Sequence, residues 1–330
     1  MTEPTSGAAT TAAGRRHRRG RAAPERPRRR GRRSAPGDTP APRTLISARA
    51  LNTPRGRVIY WIVLIAVIVL FTAVFVFPLY WMVTGAMKSS GELARTPPTL
   101  FPRHPHPGVY RDAWRRLYLG RFLLNTLEYA VGAWLLQLAV CVPAAYALSK
   151  LRPVLGRAVL GMMLATLMIP STVLLVPLYL TVRDVPLLHA NLLNTPFAIW
   201  FPAAANAFSI FLLKRFFDSI PGELLEAAAI DGASSWRILW SIVLPISRPI
   251  IAVVSIFAVV GVWKDFVWPL LVLPDSNRMT VSVAISSLSE QTPQNILIAA
   301  LVIASIPAVA VFLLFQRHIM AGLTAGGLKG

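Results

Sequence analysis

PGELLEAAAIDGASSWRILWSIVLPISRP, residues 221–249, is a polar, turn-containing interruption between two strongly apolar segments. Residues 223–230 carry the alanines and leucines of a short helix. Gly232 accepts the left-handed conformation that ends a helix, and Ser234 or Ser235 then caps a second one. The stretch therefore predicts two short helices joined at an angle. The small alanine side chains on the first helix let the backbone of another protein approach closely.

The same stretch carries a spaced motif, in which Glu-Ala-Ala is followed by Asp-Gly-Ala and then by Ile-x-Leu-Pro. This spacing resembles the EAA loop of permease subunits of ATP-binding cassette (ABC) importers, and the Asp-Gly-Ala form is similar to that of sugar importers. The resemblance implies that residues 214–248 form a coupling loop that docks into an ATPase subunit. For Asp231, capping of the bend is an equally good assignment. The residues that the resemblance assigns to ATPase coupling are Glu226, Ala227, Ala228, Asp231, Gly232, Ile242, Leu244 and Pro245.

The composition excludes an ordinary soluble domain. Of the 330 residues, 55% are hydrophobic, which is more than globular domains use. Six apolar stretches approach or exceed the roughly 20 residues that a helix needs to cross a bilayer. We therefore predict an all-α membrane protein with six transmembrane helices, with kinks at Pro170 and Pro177 in the third. The predicted spans are about 58–83, 127–148, 159–180, 196–213, 249–271 and 296–315.

Most of the net charge of +20 lies in the N-terminal tail, where residues 1–57 hold fifteen arginines against three acidic residues. This tail lacks the apolar residues that would offset the entropy of ordering, so we predict that it is disordered. An arginine run beside a span holds the N-terminus in the cytoplasm and contacts anionic headgroups. A nucleic-acid-binding tail is the alternative, and it is the less favoured one. Residues 58–330 are assigned to the transmembrane permease domain.

The loop predicted at 88–121 carries seven basic residues against two acidic ones. This excess opposes the positive-inside rule if the loop is external. His104 and His106 lie in this loop without further ligands nearby in the sequence, so no metal site is predicted. The single cysteine, Cys141, excludes an intrachain disulfide.

The resemblance extends from about Leu70 to the end of the chain, through segments such as 125–134, 144–151 and 261–270. The closing GLTAGGLKG is similar to the end of the G-type subunit of the maltose importer and its relatives. The resemblance implies the type I ABC importer permease fold in a bacterial inner membrane, with both termini cytoplasmic. It also implies three kinds of partner: ATPase subunits, a second permease of F type, and an extracytoplasmic solute-binding protein.

Ionisable side chains inside a span are costly and often mark a transport pathway. We hypothesise that Lys264 and Asp265, predicted to be consecutive residues of one helix, line such a path together with Trp263 and Trp268. Asn206 is a weaker candidate. Polar groups suit sugar hydroxyls, and aromatic faces suit the C–H surfaces of sugar rings. Packing against the second permease is the alternative, and Lys264 departs from the asparagine that the family usually has at this position.

Three classes of function make different demands on the sequence. An importer subunit needs a partner ATPase, because the chain contains no Gly-rich phosphate loop of the GxxxxGK[ST] form; we therefore predict no enzymatic activity and no cofactor of its own. A self-contained secondary transporter for a small polar solute is the alternative and would require inverted repeats. An intramembrane enzyme would require a motif such as HExxH or GxSxG.

The loop at 274–294 is expected to reach the solute-binding protein.

Overall fold

The computed structural model describes residues 53–327, with side chains described through residue 316. The predicted disordered tail lies outside the described residues except for positions 53–57. The chain divides into two units between Ile68 and Val69. Of the described residues, the first unit holds the N-terminal part of one long helix, and the second holds all the rest.

Helices account for the regular structure of residues 53–327, apart from one isolated antiparallel bridge between Val185 and Ala190. Short π-helical turns follow α4 and α10, at Ala147–Leu151 and Leu239–Val243, and a 3-10 turn occupies Ser289–Gln291. The α-helices are α1 Pro54–Ala86, α2 Ser90–Leu93, α3 Val109–Arg116, α4 Leu119–Tyr146, α5 Gly156–Thr166, α6 Ser171–Arg183, α7 Phe197–Ala204, α8 Ala207–Asp218, α9 Gly222–Ile230, α10 Ser235–Ile238, α11 Leu244–Ile246, α12 Arg248–Lys264, α13 Val267–Val272, α14 Val281–Ser287 and α15 Gln294–Gly327.

By length and composition, the described chain has up to six segments that are long and apolar enough to cross a membrane, if each bent pair of helices counts as one span. Three are single helices: α1, α4 with its π-helical extension, and α15. Three are bent pairs, in which α5 and α6 meet at 106°, α7 and α8 at 43°, and the segment 235–246 meets α12 at 83°. The prediction of an all-α protein with six spans is therefore confirmed.

Two helices extend beyond the predicted spans. Helix α1 begins at Pro54, four residues before the predicted start of the first span at residue 58. Proline lacks a backbone N–H and is well suited to a first helical turn, and the Thr53 hydroxyl accepts a hydrogen bond from the Gly56 N–H at 3.1 Å. At the other end, the backbone of α15 continues to Gly327, beyond the predicted end of the sixth span at residue 315.

The predicted spans also contain breaks. Pro170 precedes α6 at the sharp bend of the third span, as predicted, whereas Pro177 lies within α6. The fourth span breaks at Asn206, which was not predicted. The prediction of one continuous helix through Lys264 and Asp265 is wrong, because the helix ends at Lys264 and Asp265 is extended. The Asp265 carboxylate interacts with the backbone N–H groups of the three residues that follow, and such local bonding competes with helix continuation.

A hydrogen-bonded network orders the loop that follows α1. Lys88 is buried, donates to the Thr99 carbonyl and lies 4.2 Å from the centre of the Trp81 ring. The Glu92 carboxylate accepts hydrogen bonds from the Thr99 hydroxyl at 2.7 Å and the Arg103 backbone N–H at 3.1 Å. The hydroxyl of Thr99 holds the pKa of Glu92 below its ordinary value, with the backbone N–H of Arg103 and the charge of Lys88 acting in the same direction. The loop therefore has a defined conformation that side-chain hydrogen bonds hold in place.

The loops at one end of the bundle are tied together by side chains of α4 and of the 184–196 connection. Arg121 donates to the Asn277 side chain at 2.8 Å, and Asn125 donates to the Asn277 carbonyl at 2.8 Å. The Tyr129 hydroxyl donates to the Arg278 carbonyl, and Arg278 donates to the carbonyl of Asn194. The two loops joined here connect spans three to four and five to six, whereas residues 222–246 connect spans four to five and so lie at the other end.

Helices α4 and α7 approach each other closely at Gly132. A methyl group at this position would lie 2.1 Å from the Trp200 ring, which is far inside van der Waals contact. Residue 132 is therefore a glycine because the large indole of Trp200 occupies the space of a side chain.

We predict that Gly132→Ala destabilises the protein by about 1–3 kcal/mol, because the Trp200 ring must move out of its packed position. The measurement is the thermal unfolding midpoint of the purified protein in detergent. Gly161→Ala is the control, since nothing lies within 4 Å of the added methyl group there and alanine favours a helix. Equal midpoints for the two variants would contradict the packing argument.

Candidate functional site

The residues 222–246, here called the elbow, begin with helix α9 and a tight helix stop. Gly232 has φ +82°, a conformation that glycine adopts without strain. The Ala233 N–H donates to the Ala228 carbonyl at 2.9 Å, and the Gly232 N–H donates to the Ala229 carbonyl at 3.0 Å. This pair of bonds is the Schellman motif. The predicted stop of the first helix at Gly232 is confirmed.

The second half of the elbow starts only two residues later. The Ser234 hydroxyl accepts a hydrogen bond from the Arg237 N–H at 3.3 Å, so Ser234, one of the two predicted caps, is the N-cap. The helix passes through a π-helical turn and ends at Ile246, and α12 then departs at 83°. Capping on both sides of so short a connection fixes the angle between the two helices.

The inner face of the elbow packs against the ends of three spans. Ile238, Leu239 and Val243 are buried there, and Ala228 and Ala233 pack beside them. Each fully buried aliphatic side chain contributes about 1.5–3 kcal/mol. The same buried cluster contains Val142, Ala145 and Tyr146 of α4, Ile210, Leu213 and Phe217 of α8 with Ile220 after it, and Ile250 and Val254 of α12.

The outer face of the elbow exposes large apolar side chains. Ile230 is 86% exposed, and Trp236 and Trp240 are 61% and 65% exposed. The two tryptophans are four residues apart, a spacing that places side chains on one side of a helix. Large exposed aromatic side chains are typical of a surface that another protein covers. The motif did not single out these three residues, although their size and position were visible in the sequence.

The residues assigned to ATPase coupling fall on both faces. Ala228 and Leu244 pack toward the bundle, and Ile242 is half-buried. The exposed members are Glu226, Ala227, Asp231, Gly232 and Pro245. Asp231 occupies the C-cap position through its backbone, and no hydrogen bond to its carboxylate occurs among the described residues.

A cavity of about 730 Å³ lies between the spans, lined by residues of α4, α6, α7, α8, α12 and α13. Both unpredicted helix breaks reach its wall, because Asn206 and Asp265 are lining residues. Irregular backbone within a membrane is tolerated where it borders a cavity or is buried in protein. The cavity is thus located where two spans lose their continuous helical hydrogen bonding.

Polar and aromatic side chains meet in this wall. Gln137 donates to the Ser209 hydroxyl at 2.8 Å, and the Asn206 side chain accepts from the Ser209 N–H at 2.9 Å, capping α8. Phe208 and Phe257 stack edge to face with ring centres 5.9 Å apart. Gln137, Ser209 and both phenylalanines are lining residues that sequence reasoning missed, since no local pattern distinguishes them from other residues of apolar helices.

The predicted pathway residues divide into two groups. Asn206, Asp265 and Trp268 line the cavity, and the Trp268 indole is fixed by donation to the Ala198 carbonyl at 3.0 Å. Trp263 instead packs toward the sixth span and donates to the Ala304 carbonyl at 3.0 Å. Lys264 is exposed and does not belong to the cavity wall.

The fold and the site define a polytopic membrane transport protein of the permease class. Residues 139–324 match the family model described as the binding-protein-dependent transport system inner membrane component. The chain belongs to this family, the permease subunits of ABC importers, and the resemblance in the elbow motif is confirmed at the level of the family.

Three similar proteins illustrate the match. The diacetylchitobiose uptake system permease protein NgcG of Streptomyces coelicolor is 29% identical over 80% of this chain and 87% of its own length. The melibiose/raffinose/stachyose import permease protein MelC of Bacillus subtilis is 33% identical over 77% of this chain and 91% of its own. A subunit of a solved bacterial ABC transporter involved in alginate import has the same fold, with a TM-score of 0.69, 22% identity, and coverage of 84% of this chain and 100% of that one.

We predict that Gly232→Ala weakens the helix stop by about 1–2 kcal/mol, because an alanine at positive φ is strained. Hydrogen exchange of residues 222–246 should then be about five- to thirtyfold faster than in the wild type. Gly222→Ala is the control on the same helix, since its added methyl group meets only the Glu226 carboxylate at an ordinary 3.6 Å. Unchanged exchange in Gly232→Ala would show that the bend does not depend on the glycine.

Proposed function

We propose that this permease imports a sugar or an oligosaccharide and that its elbow couples import to ATP hydrolysis on a separate ATPase subunit. The observation that carries the proposal is the elbow itself. It presents the spaced motif, a doubly capped bend, and exposed Ile230, Trp236 and Trp240 on a protein that belongs to the ABC permease family. A rigid projection with an apolar outer face fits a surface groove on a partner ATPase.

Transmission of movement follows from the packing of the inner face. Close-packed interiors move as bodies rather than deform continuously. A displacement of the elbow by its ATPase therefore carries with it the packed ends of α4, α8 and α12. Helices α8 and α12 extend from this packed end to the cavity, so the same displacement alters the cavity wall.

The substrate class is supported by the cavity and by the relatives. The wall offers the amide of Gln137, the carboxylate of Asp265 and the aromatic rings of Trp268, Phe208 and Phe257. Hydroxyl groups bind the polar side chains, and the C–H faces of sugar rings pack on aromatic surfaces. NgcG is named for the uptake of a disaccharide, and MelC is named for the import of a disaccharide and larger oligosaccharides. We assign half of the translocation pathway to this cavity.

The proposal includes further partners and an orientation. A second permease of F type supplies the other half of the path, and a solute-binding protein delivers the sugar. The elbow and both termini lie in the cytoplasm of a bacterial cell. The opposite end then faces outward, where α14 packs back into the bundle through Val281, Val283 and Ile285, leaving the turn at Ser289–Gln291 exposed to contact the binding protein.

We predict that Glu226→Lys reduces ATPase copurification with the tagged permease at least about tenfold. The substitution reverses a charge on the docking face, and like charges brought together across an interface cost several kcal/mol. Glu290→Lys makes the same charge change on an exposed residue at the opposite end and should retain the ATPase fully. Immunoblots of the membrane fraction establish equal amounts of both variants. Equal ATPase retention by the two variants would refute docking at the elbow.

We further predict that Asp265→Asn lowers sugar uptake about tenfold or more, because a hydrogen bond to a charged group contributes about 1.5–3 kcal/mol. Lys264→Ala should remain near wild type, since Lys264 lies outside the cavity wall. The measurement is uptake of labelled diacetylchitobiose and raffinose by cells that contain the complete importer. Undiminished uptake by Asp265→Asn would remove Asp265 from the path, and loss only in Lys264→Ala would place the path elsewhere.

A further inference from the structure

A second cavity, of about 650 Å³, lies at the elbow end of the bundle. It is bordered by the π-helical turn after α4, the first turns of α5 and the last turn of α8. Its charged lining consists of Arg152, Arg157, Lys214 and Asp218. None of these residues belongs to the elbow or to the sugar cavity.

The one carboxylate of this lining is already compensated. The Lys214 ammonium lies 2.7 Å from one oxygen of Asp218, and the Ser149 hydroxyl donates to the other oxygen at 2.7 Å. Arginine remains protonated at every physiological pH. The cavity therefore retains two positive charges, those of Arg152 and Arg157, after its internal ion pair is formed.

Both guanidinium groups keep donors available. Arg152 uses its Nε–H to bond the Ser149 carbonyl at 3.3 Å, which fixes the side chain and leaves its terminal N–H groups free. The side chain of Arg157 has no hydrogen bond or ion pair among the described residues. Planar guanidinium groups bind the oxygens of an oxyanion such as a phosphate in bidentate fashion, so the cavity suits a phosphate.

An apolar stripe begins at the mouth of this cavity. Leu155, Val159 and Met162 are 70%, 39% and 64% exposed, and their spacing of four and three residues places them along one side of α5. Val154, at the same mouth, is fully exposed. A soluble phosphate gains nothing from such a stripe, whereas an acyl chain attached to the phosphate packs along it.

We propose that this cavity binds the phosphate of an anionic phospholipid, such as phosphatidylglycerol, in the leaflet at the elbow end. Basic pockets between membrane helices near an anionic leaflet are suited to such headgroups. The phosphate contacts Arg152 and Arg157, and an acyl chain follows Leu155, Val159 and Met162. The bound lipid thus contacts the end of the π-helical turn after α4 through Arg152 and helix α5 through Arg157. This inference goes beyond the transport function and does not depend on it.

The test is native mass spectrometry of the complete importer in detergent, titrated with phosphatidylglycerol or with phosphatidylcholine of the same acyl chains. The wild type should retain phosphatidylglycerol in preference. Arg152→Gln/Arg157→Gln should require roughly 25-fold more phosphatidylglycerol, since each basic residue near an anionic lipid contributes about a fivefold factor. Arg215→Gln/Arg248→Gln removes two exposed arginines of the same end outside the cavity and should bind as the wild type does.

Four results would overturn the proposal: equal retention of the two lipids, equal weakening by both double variants, displacement of the lipid by excess inorganic phosphate, or no retained lipid. The third would make the cavity a site for a soluble anion. Arg152→Lys/Arg157→Lys keeps the charge and should retain more phosphatidylglycerol than the glutamine variant.

Discussion

The structure depends on the packing of the elbow against the inner ends of three spans. Ile238, Leu239 and Val243 are buried there, so the elbow is part of the bundle core. Removal of these side chains from water stabilises the contact between the elbow and the spans. The glycine stop of the first half and the serine cap of the second half hold the two halves of the elbow at a fixed angle. A flexible loop with the same motif would bind a partner but would absorb the movement instead of transmitting it.

The second constraint is that backbone groups within a membrane must be satisfied inside the protein. The helical backbone is interrupted at Asn206 between α7 and α8 and at Asp265 after α12, and both interruptions reach the cavity. Helix α8 runs from Asn206 to the packed end at Phe217, roughly 18 Å for its twelve residues. Helix α12 connects Ile250 in the same packed end with the break at Asp265. Two helices thus join the elbow to the cavity, and this connection unites the two sites into one mechanism.

The elbow was predictable because its determinants are local: a glycine at positive φ, a serine cap and a spaced motif lie within one short stretch of sequence. The six spans were predictable from apolar length alone. The breaks were not, since Asn206 and Asp265 look like isolated polar residues in apolar runs, and their effect depends on local backbone bonding. The pairing of Gln137 with Ser209, 72 residues apart, depends on tertiary packing. The sequence places Lys264 and Asp265 together on the predicted path because they are consecutive residues. The helix break gives them different surroundings, since Lys264 is exposed and Asp265 lines the cavity.

The most direct test of the account is an electron paramagnetic resonance distance measurement on the assembled importer, with and without ATP, in a Cys141→Ser background. Spin labels at Ala229 on the elbow and at Arg215 on α8 report whether the joint moves as one body. Labels at Ala229 and Ser289 report the distance from the elbow to the opposite end. The account predicts that ATP leaves the first distance unchanged and shifts the second. A shift of several ångströms between Ala229 and Arg215 would contradict it, because the elbow would then move independently of the spans.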